Sequence, residues 1–139
     1  MKIQKTELAA KLNQIKGVVP KKTTMPILQG ILVKEGYLIA NNLEMTIKAK
    51  LEGTEDECFI IPERAFDLIN NLPDGEIDIT ISGGNTMTIK ADKIKNKYQT
   101  MDPGPFPVSD IEGEGSEFTI KAGLLLESVR RVSYAIPQQ

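Results

Sequence analysis

An internal repeat constrains the fold of this chain more than any other feature of its sequence. Residues 2–51 and residues 57–101 each show the pattern of a strand, a helix and three further strands. In the first copy, the apolar positions of the strand and helix are Ile3, Leu8, Leu12 and Ile15, and the last three lie 5, 9 and 12 residues after Ile3. Ile61 and Phe66 repeat the first step of this spacing 58 residues later. Tandem units of this period are expected to share a core, because a single unit cannot bury its apolar face alone.

The strands are predicted from alternation of apolar and polar residues, the period of a sheet with one buried face. The alternation runs through LEMTIKAKL (43–51), EIDITIS (76–82) and TMTIKA (86–91). It assigns to the buried side of the first of these strands Leu43, Met45, Ile47, Ala49 and Leu51. The glycine-containing connections KEG (34–36) and SGGN (82–85) predict tight hairpins, because glycine adopts a positive φ without steric cost.

Two helices are predicted between the strands. The first covers residues 6–17, with Thr6 as its N-cap and Gly17 as its stop. The second covers residues 62–73 and has Pro62 at its first position. Their apolar stripes consist of Leu8, Leu12 and Ile15 in the first helix and of Phe66, Ile69 and Leu72 in the second. Together with the strands, they predict an α+β fold in which two helices pack on one side of antiparallel sheets.

The residue inventory argues against catalysis. The absence of histidine excludes Ser-His-Asp and Cys-His arrangements, HExxH zinc sites and histidine acid–base catalysis. The single cysteine, Cys58, cannot form an internal disulfide, which favours a reducing compartment, and we expect it to be a buried strand residue. The acids fall on loops and alternate strand positions, as solvated side chains do. We therefore expect no active site, no metal and no cofactor.

Neither a signal peptide nor a membrane span is expected. Residues 1–20 carry scattered lysines, and no apolar run approaches the ~20 residues that a span needs. With 40% apolar and 26% charged residues, the composition predicts a soluble cytoplasmic protein.

Charge is segregated along the chain, although the net charge is only −2. Residues 1–34 carry seven lysines and one acid, whereas residues 51–82 carry nine acids and one arginine. Residues 83–101 are again basic, and residues 102–120 contain five acids and no base. An acidic protein of this kind can present a basic face to a polyanion, because the local field decides such binding. The alternative is that these charges form ordinary solvated surface.

The end of the sequence repeats its beginning. EFTIKAGLLLESVRRVSYAI (117–136) predicts a strand that leads into a helix. Its apolar positions again have offsets of 5, 9 and 12; they are Ile120, Leu125, Val129 and Val132. The prolines, glycines and acids of residues 102–116 predict a linker. We therefore expect one domain at 1–101 and the truncated start of a second domain at 117–139, which lacks its hairpin strands.

Five segments of the chain contain sequence motifs that are shared with one protein family. They are TTMPILQGILV (23–33), NNLEMTIKAKL (41–51), IPERAFDLINNLPDGEIDI (61–79), GPFPVSD (104–110) and EFTIKAGLLLESVRRVSYAI (117–136). In this order they resemble the bacterial sliding clamp family, the beta subunits of DNA polymerase III. The resemblance covers the N-terminal domain of that family and the first strand and helix of its middle domain.

The resemblance implies a non-catalytic processivity factor, although the family is catalogued with DNA-directed DNA polymerase. In the family, such domains close head to tail into a ring around duplex DNA, with helices lining the hole and sheets forming an outer wall, whose acidity repels DNA. The DNA-binding residues that it implies here, with the lysines that extend the same basic face, are Lys22, Lys21, Arg64, Lys11, Lys16, Lys5 and Lys97. Phe106 and the surface of the second helix are implied to lie near the ring interface, where an apolar patch is expected to be left uncovered.

The sequence departs from the family in its extent. A full subunit has three domains, so this chain is expected to be cut or to end early. In the family, the cleft for polymerase and clamp-loader peptides lies between the second and third domains, and is absent here. The alternative is a stand-alone clamp-like interaction protein, for example from a mobile element, that binds or caps a clamp or another replication protein.

Overall fold

The computed structural model describes residues 1–108 and 115–137, and the chain divides into two units, Met1–Ser109 and Asp110–Gln139. The strands of the first unit are β1 (Lys2–Gln4), β2 (Gly30–Lys34), β3 (Tyr37–Asn41), β4 (Thr46–Lys50), β5 (Cys58–Pro62), β6 (Glu76–Ser82), β7 (Thr86–Ala91) and β8 (Ile94–Gln99). Its helices are α1 (Lys5–Ile15) and α2 (Phe66–Asn71), with 3-10 helices at Lys16–Val18, Pro26–Gln29 and Glu63–Ala65. This order confirms two successive units of strand, helix and three strands.

The two repeats exchange their first strands. Sheet A has the order β1-β6-β7-β8 and sheet B the order β4-β3-β2-β5, all antiparallel. Thus β1 of the first repeat pairs with the second repeat, where Ile3 lies opposite Ile77. In return, β5 of the second repeat pairs with β2, where Ile61 lies opposite Ile31. Each sheet therefore contains strands of both repeats, a pairing that the sequence pattern did not predict.

One apolar cluster joins the helix pair to both sheets. The predicted helical stripes are buried in it, namely Leu8, Leu12, Ile15, Phe66, Ile69 and Leu72. Sheet residues such as Val33, Met87 and Ile89 face them. A second, smaller cluster lies on the other face of sheet B, where it includes Ile27, Leu28 and Phe106. Sheet B is therefore covered on one face by the helices and partly covered on the other.

The start of α1 differs from the prediction. The helix begins at Lys5, so Thr6 lies inside it, and the N-cap residue Gln4 makes no side-chain capping bond. Instead, the backbone N–H of Lys5 donates to the carbonyl of Gly75 at 2.8 Å. A tertiary partner satisfies one of the free donors at the helix end, which makes a side-chain cap dispensable there. Gly17 lies in the 3-10 helix that follows.

The start of α2 also differs, because Pro62 belongs to a strand. It ends β5, opposite Gly30, and the chain then passes through the 3-10 helix Glu63–Ala65 before α2. Proline is tolerated at such a strand end, where its missing N–H removes few ladder bonds. Gly30 in turn permits close approach of the two strands, since a Cβ on it would lie 2.3 Å from Cγ2 of Ile60.

The predicted strand at 43–51 is shortened by a turn. Leu43 has φ +75° and is 61% exposed, and Met45 is 53% exposed, so neither lies on the buried side. The side chains of two asparagines hold this turn: Oδ1 of Asn41 accepts the N–H of Leu43, and Oδ1 of Asn42 accepts that of Met45. These bonds compete with the ladder, and β4 begins only at Thr46.

Both predicted hairpins are confirmed. Glu35 and Gly36 connect β2 to β3, and Gly84 and Asn85 lie between β6 and β7, all four with positive φ. The prediction for Cys58 was wrong, because this strand residue is exposed. It shares the face of β5 with Ile60 but lies at the first position of the strand, outside the smaller cluster.

The second unit contains one α-helix, α3 (Ala122–Val132), followed by a 3-10 helix at Ser133–Ala135. The helix is confirmed, but the predicted strand before it is not found among residues 115–121. Its apolar stripe is exposed: Leu125 is 49%, Val129 49% and Val132 61% accessible. The predicted boundaries of domain, linker and second domain stay predictions.

Candidate nucleic-acid interface

The two helices of the first unit lie side by side and are joined by a pair of amides. Nδ2 of Asn13 in α1 donates to Oδ1 of Asn70 in α2 at 2.9 Å, and Nδ2 of Asn70 donates back to Oδ1 of Asn13 at 3.4 Å. The apolar stripes of both helices point into the core. The exposed residues on their other faces include Asn13 and Gln14 of α1 and Asp67 and Asn71 of α2.

Basic side chains gather where α1 ends and α2 begins. Lys16 and Lys21 line one groove together with Glu63 and Asp67. Arg64 lines a neighbouring depression, which Glu63 also borders. We call Lys16, Lys21 and Arg64 the basic cluster; all three are exposed.

A hydrogen bond fixes the loop that carries part of this cluster. Nε2 of Gln29 donates to the backbone carbonyl of Lys21 at 3.3 Å, and Gln29 also lines the depression next to Arg64. Lys22 follows Lys21 and is exposed. Three predicted residues are thus brought together, while the two carboxylates among them, Glu63 and Asp67, were missed by sequence reasoning.

Lys11 and Lys5 lie apart from this cluster. A helix turns by about 100° per residue, so Lys11 lies about 200° around α1 from Asn13, on the flank away from α2. Its side chain is half-buried. Nζ of Lys5 lies 3.2 Å from Oδ1 of Asp74, with the lysine side chain 15% exposed. The charge of Lys5 is therefore already paired within the chain.

Lys97 lies on the opposite side of sheet A from the helices. In the register of β7 and β8, Tyr98 pairs with Met87, which is fully buried in the core. Lys97 pairs with Thr88, and successive residues of a strand point to opposite faces. The structure therefore separates Lys97 from the basic cluster.

Phe106 is buried within its own unit. It is 5% exposed and packs in the smaller cluster against sheet B. The next residue is also held, since Nδ2 of Asn41 donates to the carbonyl of Pro107 at 2.8 Å. The expected uncovered patch is thus not found at this side chain. Its role at a ring interface stays a prediction.

Residues 1–108 and 115–137 contain neither a metal-binding cluster nor a membrane-spanning helix. No group of three His, Cys, Asp or Glu side chains there is arranged to hold a metal ion. No helix in this part of the chain is long and apolar enough to cross a membrane.

The comparison with known families agrees with the fold. A family model described as DNA polymerase III beta subunit, N-terminal domain, matches residues 1–110. The chain belongs to this family. Among curated beta subunits, the beta sliding clamp of Pseudomonas aeruginosa is 30% identical over 147 residues, which cover 99% of this chain and 40% of the relative. That of Chlamydia muridarum is 24% identical over 144 residues, covering 99% and 39%.

Solved beta subunits share the fold. The crystal structure from Pseudomonas aeruginosa superposes with a TM-score of 0.84 at 31% identity, covering all of this chain and 40% of that chain. The structure from Thermotoga maritima gives a TM-score of 0.75 at 27% identity, covering 92% and 37%. The chain thus spans about two fifths of the length of these relatives.

Proposed function

We propose that this chain is the N-terminal part of a DNA sliding clamp, a non-catalytic subunit that helps to encircle duplex DNA during replication. The observation that carries the proposal is the gathering of Lys16, Lys21 and Arg64 beside the paired helices. Lys22 adds a fourth exposed charge in the same loop. Such side chains can bind phosphates, and contacts to phosphates position a protein on DNA without depending on the base sequence.

The surface between the basic residues favours sliding. Four of the exposed residues of α1, Thr6, Ala10, Asn13 and Gln14, are uncharged, and the exposed Glu7 is acidic. Glu63 and Asp67 lie within the basic cluster and weaken its field. Contacts that are few, charge-based and partly offset hold DNA loosely, so a ring can move along it.

The other partners follow from family membership. Further clamp domains or subunits would complete the ring, and a polymerase and clamp loader would bind at the cleft between the family's second and third domains. The compartment that we propose is the cytoplasm, where bacterial DNA is replicated. Lys5, Lys11 and Lys97 contribute less than the basic cluster in this proposal, because they are paired, half-buried or on the other face.

Duplex binding at several salt concentrations tests the proposal. With about three phosphate contacts, affinity should fall tens-fold between about 50 and about 200 mM salt. The Lys16→Glu/Lys21→Glu/Lys22→Glu variant should lose most of the binding. A matched charge reversal on sheet B, Lys34→Glu/Lys48→Glu/Lys50→Glu, should retain it. An equal loss of duplex binding in both variants would indicate a general effect of charge and would contradict the assignment of the phosphate contacts to Lys16, Lys21 and Lys22.

A further inference from the structure

The α-amino group of Met1 connects the two sheets of the first unit. Its ammonium nitrogen donates at 2.8 Å to the carbonyl oxygen of Ile79, which lies on β6 in sheet A. The same nitrogen lies 3.1 Å from Oε1 of Glu57, the residue directly before β5 of sheet B. One charged group is therefore bonded to residues of both sheets.

The position of this group follows from the pairing of β1 with β6. Lys2 lies opposite Asp78, and Met1 continues this antiparallel register opposite Ile79. The backbone N–H of Ile79 donates in return to the carbonyl oxygen of Met1 at 2.8 Å, so the two residues form a hydrogen-bonded pair of the ladder. Met1 also packs against the larger apolar cluster. The ladder and the core together hold the ammonium beside Glu57.

An ammonium group fits this position better than an amide nitrogen would. It has three N–H donors and a positive charge, so it can donate to Ile79 and also pair with the carboxylate of Glu57. The side chain of Glu57 is 34% exposed, and water therefore screens the ion pair only in part. An acyl group on the nitrogen removes the charge and leaves a single N–H. That N–H can keep the bond to Ile79, but Glu57 then loses its cation.

We propose that the α-amino group of Met1 is a modification-sensitive site, at which a small N-acyl group weakens the contact between sheets A and B. The acyl groups concerned are formyl and acetyl. A formyl group is removed by hydrolysis: water cleaves the amide bond, formate leaves, and the freed amine takes up a proton. The resulting ammonium pairs with Glu57, so deformylation completes the contact between the sheets. The proposal is independent of DNA binding.

Thermal unfolding of the complete 139-residue chain tests the proposal. The chain is prepared with a free Met1 and, by coexpression with an N-terminal acetyltransferase, with an acetylated Met1; intact-mass spectrometry distinguishes the two forms. Acetylation should lower the melting temperature by about 4–8 °C, the shift expected when one ordinary interaction is lost from a domain of about 100 residues. In the Glu57→Gln variant, which cannot form the ion pair, acetylation should lower the melting temperature by clearly less.

Glu76→Gln is the matched control. Glu76 also pairs with a cation of the N-terminal segment, since its Oε1 lies 3.7 Å from Nζ of Lys2, but its side chain is 58% exposed. An exposed pair of this kind contributes little to stability. Acetylation should therefore lower the melting temperature of Glu76→Gln as much as that of the original chain.

Either of two results would overturn the proposal. One is an unchanged melting temperature after acetylation. The other is an equal decrease in the original chain and in Glu57→Gln, which would attribute the effect to the space that the acetyl group needs and not to the lost charge. If the acetylated chain does not fold, Glu57→Gln with a free Met1 decides. It should melt below Glu76→Gln, and equal melting temperatures of these two variants would contradict the proposal.

Discussion

The side-chain amides of Asn13 and Asn70 meet across the seam between α1 and α2, with Nδ2 of Asn13 2.9 Å from Oδ1 of Asn70. Each amide both donates and accepts in this pair. The pair joins equivalent helices of the two repeats at their exposed side. It therefore holds together the surface on which the proposed phosphate contacts lie.

We expect the Asn13–Asn70 pair to show measurable energetic coupling. Asn13→Ala and Asn70→Ala should each lower the free energy of unfolding by about 0.5–1.5 kcal/mol, the net contribution of an intramolecular hydrogen bond. The double variant should lose less free energy of unfolding than the sum of the two single losses, because the first replacement has already removed the hydrogen bonds between the two amides. Urea denaturation measures all three. Strict additivity would mean that the amides do not interact in solution.

Gly30→Ala should be strongly destabilising. The added Cβ would lie 2.3 Å from Cγ2 of Ile60 and 3.0 Å from the carbonyl oxygen of Ile61, so β2 and β5 would have to separate. Overpacking of this kind costs about 1–3 kcal/mol. Gly83→Ala is the matched control, since a Cβ there has no neighbour within 4 Å. Thermal unfolding should separate the two variants clearly, and equal melting temperatures would refute the close approach.

Leu43→Asn should stabilise the chain. Leu43 adopts φ +75°, a conformation that costs a residue with a side chain about 1–2 kcal/mol, and asparagine tolerates it better. Because Leu43 is 61% exposed, little apolar burial is lost. We expect a gain of roughly 0.5–1 kcal/mol in denaturant unfolding. Glu44→Asn, at a neighbour without positive φ, should be neutral, and a loss of stability in Leu43→Asn would contradict the strain.

Helix α3 should exchange its amide hydrogens faster than α1. Each has 11 residues, but α1 buries Leu8, Leu12 and Ile15, whereas every described residue of the second unit is exposed. An isolated helix this short is marginal in water. Hydrogen exchange on the monomeric chain would measure the difference, with α1 as the internal control. Equal protection in both helices would contradict the expectation.

The hydrophobic periodicity correctly predicted strands whose side chains are buried in the core. It failed where the secondary structure of a residue depends on pairing with a strand that is distant in the sequence. Alternation located β6 and β7 at their observed bounds, because Ile77, Ile79 and Met87 each contact the core. Pro62 was assigned to a helix because its local signal is that of a first helical residue. Its place opposite Gly30 depends on a strand about 30 residues earlier in the chain.

The candidate site was predictable only in part. The lysines that flank α1 could be predicted from the charge segregation along the sequence, because they follow a helix whose apolar stripe is clear. The position of Lys97 could also have been read from its neighbour, because the apolar side of β8 includes Tyr98. The pairing of Lys5 with Asp74 and the approach of Glu63 to the basic cluster arise from tertiary structure and have no local signal.

The exchange of β1 and β5 between the sheets interlocks the two halves of the first unit. Neither half can unfold while the other stays native, because unfolding of one half would remove a strand from the sheet of the other half. Unfolding of Met1–Ser109 should accordingly be a single cooperative transition. If the halves arose by gene duplication, their ancestor must have met a second copy of itself to complete either sheet.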